Sequence, residues 1–324
     1  MTSSDLPKFR RAELLMRFAF SVITVFTCLL SIGCSPEPSP DAPTSAPISD
    51  SSPISDSSPI SDSTPVANFV AKKGLAILAW NVESGGADPK VIAEQLSSYE
   101  GFDIFCLSEV HPNDFQTYED CLGSQFDSLR SKSGNEDRLQ IIYNSDRFER
   151  LEEIELDRYR DHVLNNGGHR APLALRLKDR LSDRSFIVMV NHLARGNAEF
   201  RKAQAIGLRE WARDQDMAVI NVGDFNMDFE FATRRGNEAL DEMLRDNVWK
   251  WVEPKTWIDT NWDDRDGDGL DDFEGSLLDF AFVAGPAKTW NPACEVIVKW
   301  NDFPDDETTS DHRPITLRLD MTAY

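Results

Sequence analysis

Basic side chains are in short supply. Lys and Arg number 34 against 56 Asp and Glu, a formal charge of -22. The overall field of such a chain does not draw it to nucleic acid or anionic lipid. A phosphate it binds must therefore be held through a cation and a few local arginines. Cysteine is scarce as well, with five residues. Cys106, Cys121 and Cys294 show no metal-ligand spacing, which excludes a zinc site built on thiols. One disulfide with a leftover thiol stays open. No HExxH, CxxC or GxSxG occurs, so zinc proteolysis and serine hydrolysis lack their motifs. No apolar run reaches the roughly 20 residues that a membrane-spanning helix needs.

The longest charge-free apolar run is Phe18 to Gly33, 16 residues, preceded by Lys8, Arg10, Arg11 and Arg17. That is the layout of a signal peptide. The run ends Leu29-Leu-Ser-Ile-Gly-Cys34, which resembles a bacterial lipobox, although Ser31 stands where that motif usually has Leu. Residues 1–34 are expected to be a lipoprotein-type signal peptide, with Cys34 lipidated as the link to a membrane; an uncleaved anchor is the alternative. Both readings put the protein outside the cytoplasm, as a bacterial membrane lipoprotein or at the cell surface. Residues 35–70 follow as a Ser/Pro-rich tether, in which Pro47-Ile-Ser-Asp-Ser-Ser is repeated from Pro53 and, ending in Thr64, from Pro59. Such a stretch is too polar and too broken by proline to bury a core. Residues 71–324 read as one domain.

Within that domain short apolar runs outnumber helical patterns. Gly74 to Trp80, Phe102 to Leu107, Leu139 to Tyr143, Leu151 to Leu156, Ala171 to Leu177, Phe186 to Val190, Val219 to Val222, Leu277 to Val283 and Pro314 to Leu319 read as strands, and Val296 to Val298 as a further one. Asp88-Pro89 opens a helix to about Ser98, Ala198 to Arg213 has a helical apolar stripe, and a third helix lies near Asn237 to Arg245. The pattern predicts a mixed α/β protein with two sheets.

Five strand-like runs end in polar side chains: Trp80-Asn-Val-Glu83, Leu107-Ser-Glu109, Asn191-His192-Leu193, Val222-Gly-Asp224-Phe-Asn226 and Ser310-Asp311-His312. The fourth is expected to stop at a turn on Gly223. Strands need no carboxylates to terminate, so the five ends are expected to converge. Asn81, Glu83, Glu109, Asp224, Asn226 and Asp311 offer the oxygen donors that hard cations such as Mg2+ prefer. His192 and His312 add imidazoles able to move protons near neutrality. Carboxylates, amides and histidines without a nucleophilic Ser or Cys point to metal-assisted attack of water on phosphorus.

With Leu278-Asp279-Phe280 added, these motifs in this order resemble the endonuclease/exonuclease/phosphatase superfamily, which includes deoxyribonuclease-I-like nucleases, neutral sphingomyelinases and inositol-polyphosphate 5-phosphatases. The resemblance runs from about Gly74 to Leu319. It implies a four-layer sandwich of two packed mixed β-sheets flanked by helices, with Mg2+ (or Mn2+) as cofactor. It further implies Glu109 as principal metal ligand, with Asn81, Glu83 (where relatives often carry Asp) and Asp311. Asp224 and Asn226 would orient water and phosphate, and His312 would be the catalytic imidazole, oriented by Asp279. His192 and Arg170 would face the phosphate. The expected function is that of a membrane-tethered, metal-dependent phosphoester hydrolase, nuclease-like, with nucleic acid favoured as substrate. A sphingomyelinase- or phosphoinositide-phosphatase-like hydrolase of lipid or small phosphoesters is the second reading. No protein partner is indicated.

One motif stands apart. Asp264, Asp266, Asp268, Gly269 and Asp272 follow the spacing of a calcium loop, but position twelve is Gly275 where the bidentate Glu belongs. The loop is expected to bind Ca2+ weakly, in a structural role. A catalytically inert calcium-binding surface protein is the reading from another class. The retained set of Glu109, Asp224, Asn226, Asp279, Asp311 and His312 speaks against it.

Overall fold

A computed structural model describes residues 74–264, 267–299, 302 and 308–323, all within the compact unit Thr64–Tyr324. The expected signal peptide, tether and Asp266 lie outside the described residues. Among those residues no helix is long and apolar enough to cross a membrane.

The chain opens with β1 (Gly74–Asn81), α1 (Pro89–Ser98) and β2 (Ile104–Val110). Asp88 caps α1 by accepting the Lys90 N–H at 2.9 Å, and Pro89 takes the first helical position, where its missing N–H costs nothing. Next come α2 (Phe115–Asp120), β3 (Phe126–Arg130), β4 (Arg138–Asn144), β5 (Phe148–Glu155) and a small hairpin, β6 (Arg158–Tyr159) with β7 (His162–Val163). Then follow β8 (Leu173–Asp179), β9 (Ser185–His192), α3 (Ala198–Arg213), β10 (Ala218–Glu230) and α4 (Glu238–Leu244). The chain ends with β11 (Trp249–Trp251), β12 (Ser276–Ala284), β13 (Ala293–Val296) and β14 (Ile315–Asp320).

Two six-stranded sheets result, in the orders β13-β14-β1-β2-β4-β3 and β11-β12-β10-β9-β8-β5. Alternate residues of both sheets, among them Ile77, Ile141, Val188 and Ile220, meet in a shared core. The opposite face of the first sheet is covered by α1 and α2 through Ile92, Leu96, Phe115 and Tyr118. That of the second is covered by α3 and α4 through Leu208, Trp211, Leu240 and Met243. Each such side chain contributes roughly 1.5–3 kcal/mol by leaving water. The expected four-layer sandwich is the observed fold.

Each sheet contains one parallel pair, β1 with β2 and β9 with β10. A parallel pair needs a long crossover, which α1 and α3 supply. The crossover has a structural consequence: in each sheet it lets the parallel pairing finish with polar residues of both strands side by side. Asn81 and Glu109 sit at the ends of the first pair, His192 and Asp224 at the ends of the second. The antiparallel partner β12 places Asp279 opposite Asp224.

Three local expectations change. The strand from Val219 does not stop at Gly223; it runs on as β10 to Glu230, with an irregular register between Asp224 and Phe229. Gly223 has φ +129°, and a Cβ there would meet the Asn191 carbonyl oxygen at 2.2 Å, so the glycine permits close approach to β9 rather than a turn. The late strand forms at Ala293–Val296 instead of 296–298, and β3 and β11 were not anticipated. β3 is only partly buried and β11 is three residues long, so neither carries a clear alternation.

Arg147, in the turn between β4 and β5, ties Asp103, just before β2, to Asp179 of β8. Its Nε and Nη2 donate to the two carboxylate oxygens of buried Asp179 at 3.0 and 3.2 Å, and Nη1 lies 2.7 Å from Asp103. Burial pushes Asp179 up, but the Arg147 and Ser182 hydrogen bonds outweigh it and hold the carboxyl below its ordinary value.

Candidate active site

The four parallel strand ends and the 311–312 segment surround a cavity of about 400 Å³. Glu109, Asp137, Arg170, His192, Asp224, Asn226, Asp311 and His312 line it. Asp224 is its hub. The side chain is buried, and its Oδ2 accepts from Asn81 Nδ2 at 3.2 Å, while its Oδ1 accepts the Asn226 N–H at 2.9 Å. Oδ2 also lies 3.4 Å from His192 Nε2 and 3.8 Å from His312 Nε2. One carboxylate thus stands between two imidazoles.

Each imidazole is backed by a second acid. His312 Nδ1 is 2.8 Å from Asp279 Oδ2, deep in β12. Desolvation opposes charge on this ring, but Asp279, Asp311 and Asp224 outweigh it and hold the imidazole pKa well above its ordinary value. His192 Nδ1 faces Asp137 Oδ1 at 3.5 Å, and its Nε2 lies 3.6 Å from Glu109 Oε1. Burial pushes Asp137 up, yet its contacts with His192 and Arg170 prevail and keep its carboxyl below the usual value.

Glu109 and Asn226 reach the cavity by distortion of their strands. β2 shifts register between Leu107 and Val110, with Glu109 at φ +54°, and Asn226 has φ +51° within β10. Such bulges re-aim side chains, and left-handed backbone at non-glycine residues costs on the order of 1–3 kcal/mol each. The surrounding hydrogen bonds hold them. Asn81 Nδ2 donates to Glu109 Oε1 at 2.9 Å; Asn226 Nδ2 donates to the Leu193 carbonyl at 3.0 Å, and Asn226 Oδ1 accepts from Arg195 Nη1 at 3.0 Å.

The residues anticipated from sequence fall into two rows. Glu109, Asp224, Asn226, Asp311, His192, His312 and Arg170 line the cavity. Asn81 and Asp279 lie behind it and hold Glu109, Asp224 and His312. Glu83 is not among the lining residues; its Oε2 accepts the Asp311 N–H at 3.1 Å, which ties two loops together. The Asn81 amide oxygen accepts the Glu83 N–H at 3.1 Å, so this side chain presents its NH2 to the carboxylates. Arg170 donates through Nε to the His192 carbonyl at 3.1 Å and through Nη1 to Asp137. Tyr143, a strand-end residue close by in sequence, is core, with its hydroxyl on Asp127. Cys106, Cys121 and Cys294 are free thiols. In the acidic loop, Asp264 accepts the Gly267, Asp268 and Gly269 N–H groups, and Asp268 that of Leu270.

Asp137 was missed. It sits in the charged loop before β4, and the run Asn135-Glu-Asp-Arg138 looks like any solvated turn. Asn261 and Asp263 also line the cavity without a motif to announce them.

The donors fit a divalent cation. Among the described residues, Glu109, Asp137 and His192 form one group whose ligand atoms all lie within 4.8 Å of one another. Within it, His192 Nδ1 and Asp137 Oδ1 are buried without a hydrogen bond. Packing this many carboxylates around one cavity is costly unless positive charge is shared among them.

The endonuclease/exonuclease/phosphatase family model matches residues 78–312. A search of curated proteins finds no match. Among solved structures, a protein of that family from Bacteroides thetaiotaomicron is 18% identical, with a TM-score of 0.58 over 76% of this chain and 97% of its own. A mannosyl-6-phosphatase from the same organism is 17% identical, with a TM-score of 0.55 over 75% of this chain and 98% of its own. TDP2 from D. rerio, complexed with a single-strand DNA product, is 17% identical, with a TM-score of 0.58 over 76% of this chain and 98% of its own. Likeness at this level of identity carries the fold; chemistry must come from the side chains.

Proposed function

The chain belongs to the endonuclease/exonuclease/phosphatase family, whose members hydrolyse phosphoesters, and from that premise we propose that it is a divalent-cation-dependent phosphodiesterase with nuclease-like chemistry. The observation that supports this reading is the placement of Asp224 between His192 and His312, each imidazole backed by its own carboxylate. Hydrolysis of a diester needs a proton taken from the attacking water and another given to a poor leaving alcohol, and two separate imidazoles can share those tasks. The high proton affinity of His312 suits it to the acid's part, with Asp279 fixing its ring. His192 and Asp224 orient the water and take its proton. Asn226 and Arg195 hold the phosphate oxygens, and Arg170 locks Asp137 and the His192 main chain in place.

Glu109 is the ligand common to the geometric cluster and to the set implied by the motifs, and we assign it the cation, Mg2+ or Mn2+, with Asp311 from the facing loop. A cation held there neutralises charge on the phosphate. Asn81 and Glu83 act behind these ligands, one on Glu109 and the other on the main chain of Asp311.

The N-terminal reading completes the proposal: export, lipidation of Cys34 and a tether of residues 35–70 that carries the domain outside the cytoplasm. Incorporation of labelled fatty acid, lost in Cys34→Ser, tests it. The catalytic reading is tested by turnover of a simple aryl phosphodiester with Mg2+ or Mn2+, absent with EDTA and in His312→Ala. Metal-independent turnover, or none on any phosphodiester, would overturn it.

A further inference from the structure

Irregular residues 193–197 join β9 to α3, and the middle one is Arg195, to which the reading above gives the phosphate oxygens. We propose that Arg201 and Gln204 are positioning residues for that reaction: from α3 they fix the backbone beneath Arg195 and so set where its guanidinium meets the phosphate. The proposal rests on the role given to Arg195 and deepens it by naming what holds Arg195 in place.

Arg195 needs such support. It is exposed, and a long side chain on an irregular segment has much rotamer freedom to lose. Yet its Nη1 donates to Asn226 Oδ1 at 3.0 Å, and both residues line the phosphate cavity. A guanidinium can be aimed in this way only from a fixed backbone, and misplacement by about 1 Å is enough to cost on the order of a hundred-fold in rate.

The backbone under Arg195 is held group by group. The Leu193 N–H donates to the Asp224 carbonyl at 3.0 Å, and the Leu193 carbonyl accepts from Asn226 Nδ2 at 3.0 Å. Gln204 Oε1 accepts the Ala194 N–H at 3.0 Å, and its Nε2 donates to the Leu164 carbonyl at 2.9 Å, which fixes the orientation of the amide. Arg201 Nη1 then donates to the Ala194 carbonyl at 2.8 Å and to the Arg195 carbonyl at 2.7 Å. Arg201 and Gln204 stand one helical turn apart on α3, share a face and are both buried.

Packing alone does not account for a guanidinium at this position. Arg201 Nε is buried without a hydrogen bond, a cost that an apolar side chain of similar bulk would avoid. The planar fork supplies what an apolar group lacks: one nitrogen serves two successive carbonyls, while Nη2 lies 3.7 Å from Asp228 Oδ2. Asp228 Oδ1 lies 3.9 Å from Arg195 Nη1, so one carboxylate offsets the repulsion between the two guanidiniums.

The test is a double-mutant cycle on the full chain with Mg2+, read by hydrolysis of bis(p-nitrophenyl) phosphate and by calorimetric binding of inorganic phosphate. Arg195→Ala and Arg201→Lys should each lower kcat/KM and phosphate affinity by about ten-fold. The double variant should be no worse than Arg195→Ala alone, because Arg201 acts through Arg195. A merely structural residue would instead add its own loss. Additive losses, or an Arg201→Lys variant with wild-type values, would overturn the inference and leave the phosphodiesterase reading intact. If Arg201→Lys does not fold, Gln204→Met takes its place in the cycle, with the same two outcomes. A wild type that binds phosphate but turns over no diester would overturn the phosphodiesterase reading alone, and the cycle would be read from binding. A wild type that does neither would overturn both.

Discussion

Asp224→Asn is the most direct test of the site, because it changes two atoms' chemistry and almost no volume. In the wild type both carboxylate oxygens accept: Oδ1 from the Asn226 N–H at 2.9 Å and Oδ2 from Asn81 Nδ2 at 3.2 Å. An amide offers one acceptor. In either orientation its NH2 faces a donor, so one of the two hydrogen bonds is lost, at a cost of about 1–3 kcal/mol. Removing a negative charge beside Glu109 and Asp137 relieves repulsion and offsets part of that cost. The net change in stability should stay within about 2 kcal/mol, or roughly 4–8 °C in melting temperature for a domain of this size. Catalysis has no such offset. The base beside the water is gone and the imidazoles lose their shared partner, so kcat should fall by about 10²–10⁴-fold. Two assays separate the effects: initial rates on an aryl phosphodiester at saturating Mg2+, and thermal melting of the same preparation. A variant that keeps a tenth of wild-type kcat would refute the role given to Asp224. A variant that no longer folds would be followed by Asp224→Ser, whose smaller side chain returns a hydroxyl acceptor to the Asn226 N–H.

Asp137→Asn should leave His192 Nδ1 without its anionic neighbour and lower kcat by about ten- to a hundred-fold; an unchanged kcat would make Asp137 a structural residue. Asp179→Ala should cost about 1–3 kcal/mol, because Arg147 loses both hydrogen bonds to Asp179 and keeps only Asp103 as a carboxylate partner; urea denaturation measures it, and kcat per folded molecule should not change. Because Arg147 and Ser182 hold Asp179 below its unfolded value, that contribution is complete above about pH 4 and disappears as pH falls through the folded value. Asp179→Asn should therefore flatten the acid side of the stability curve, and an unaltered acid side would contradict the assignment. Gly223→Ala should destabilise by more than about 1 kcal/mol, since φ is +129° and the new methyl would meet the Asn191 carbonyl oxygen; equal melting temperatures would count against it. Chelating calcium should lower the melting temperature through the loop containing Asp264 and Asp268, with Mg2+ unable to restore it, whereas melting that ignores chelation would remove calcium from the account.

Much of the fold could be read because apolar runs and helical stripes are local signals, and the residues at five run ends could be read because they break those runs. Convergence was a guess from the sequence until topology supplied its cause: α1 and α3 are crossovers, so the β1–β2 and β9–β10 pairings are parallel and finish with Asn81 beside Ser108 and His192 beside Asp224. The illegible parts share a different property. Glu109 and Asn226 enter the cavity through positive-φ bulges that no residue type announces, and Asp137 becomes a site residue only through His192 and Arg170, far along the chain. Asn81 shows the same limit from the other side. Its amide oxygen accepts the adjacent Glu83 N–H, and its amide nitrogen faces the acids, contacts that no motif spells out. That placement has a physical use. Without a donor between them, Glu109 and Asp224 would be two carboxylates repelling across a buried space. With the Asn81 NH2 shared by both, they stay aimed at one cavity even before positive charge arrives. The strained backbone at Glu109 is thus met by a hydrogen bond from a neutral amide that also reaches Asp224.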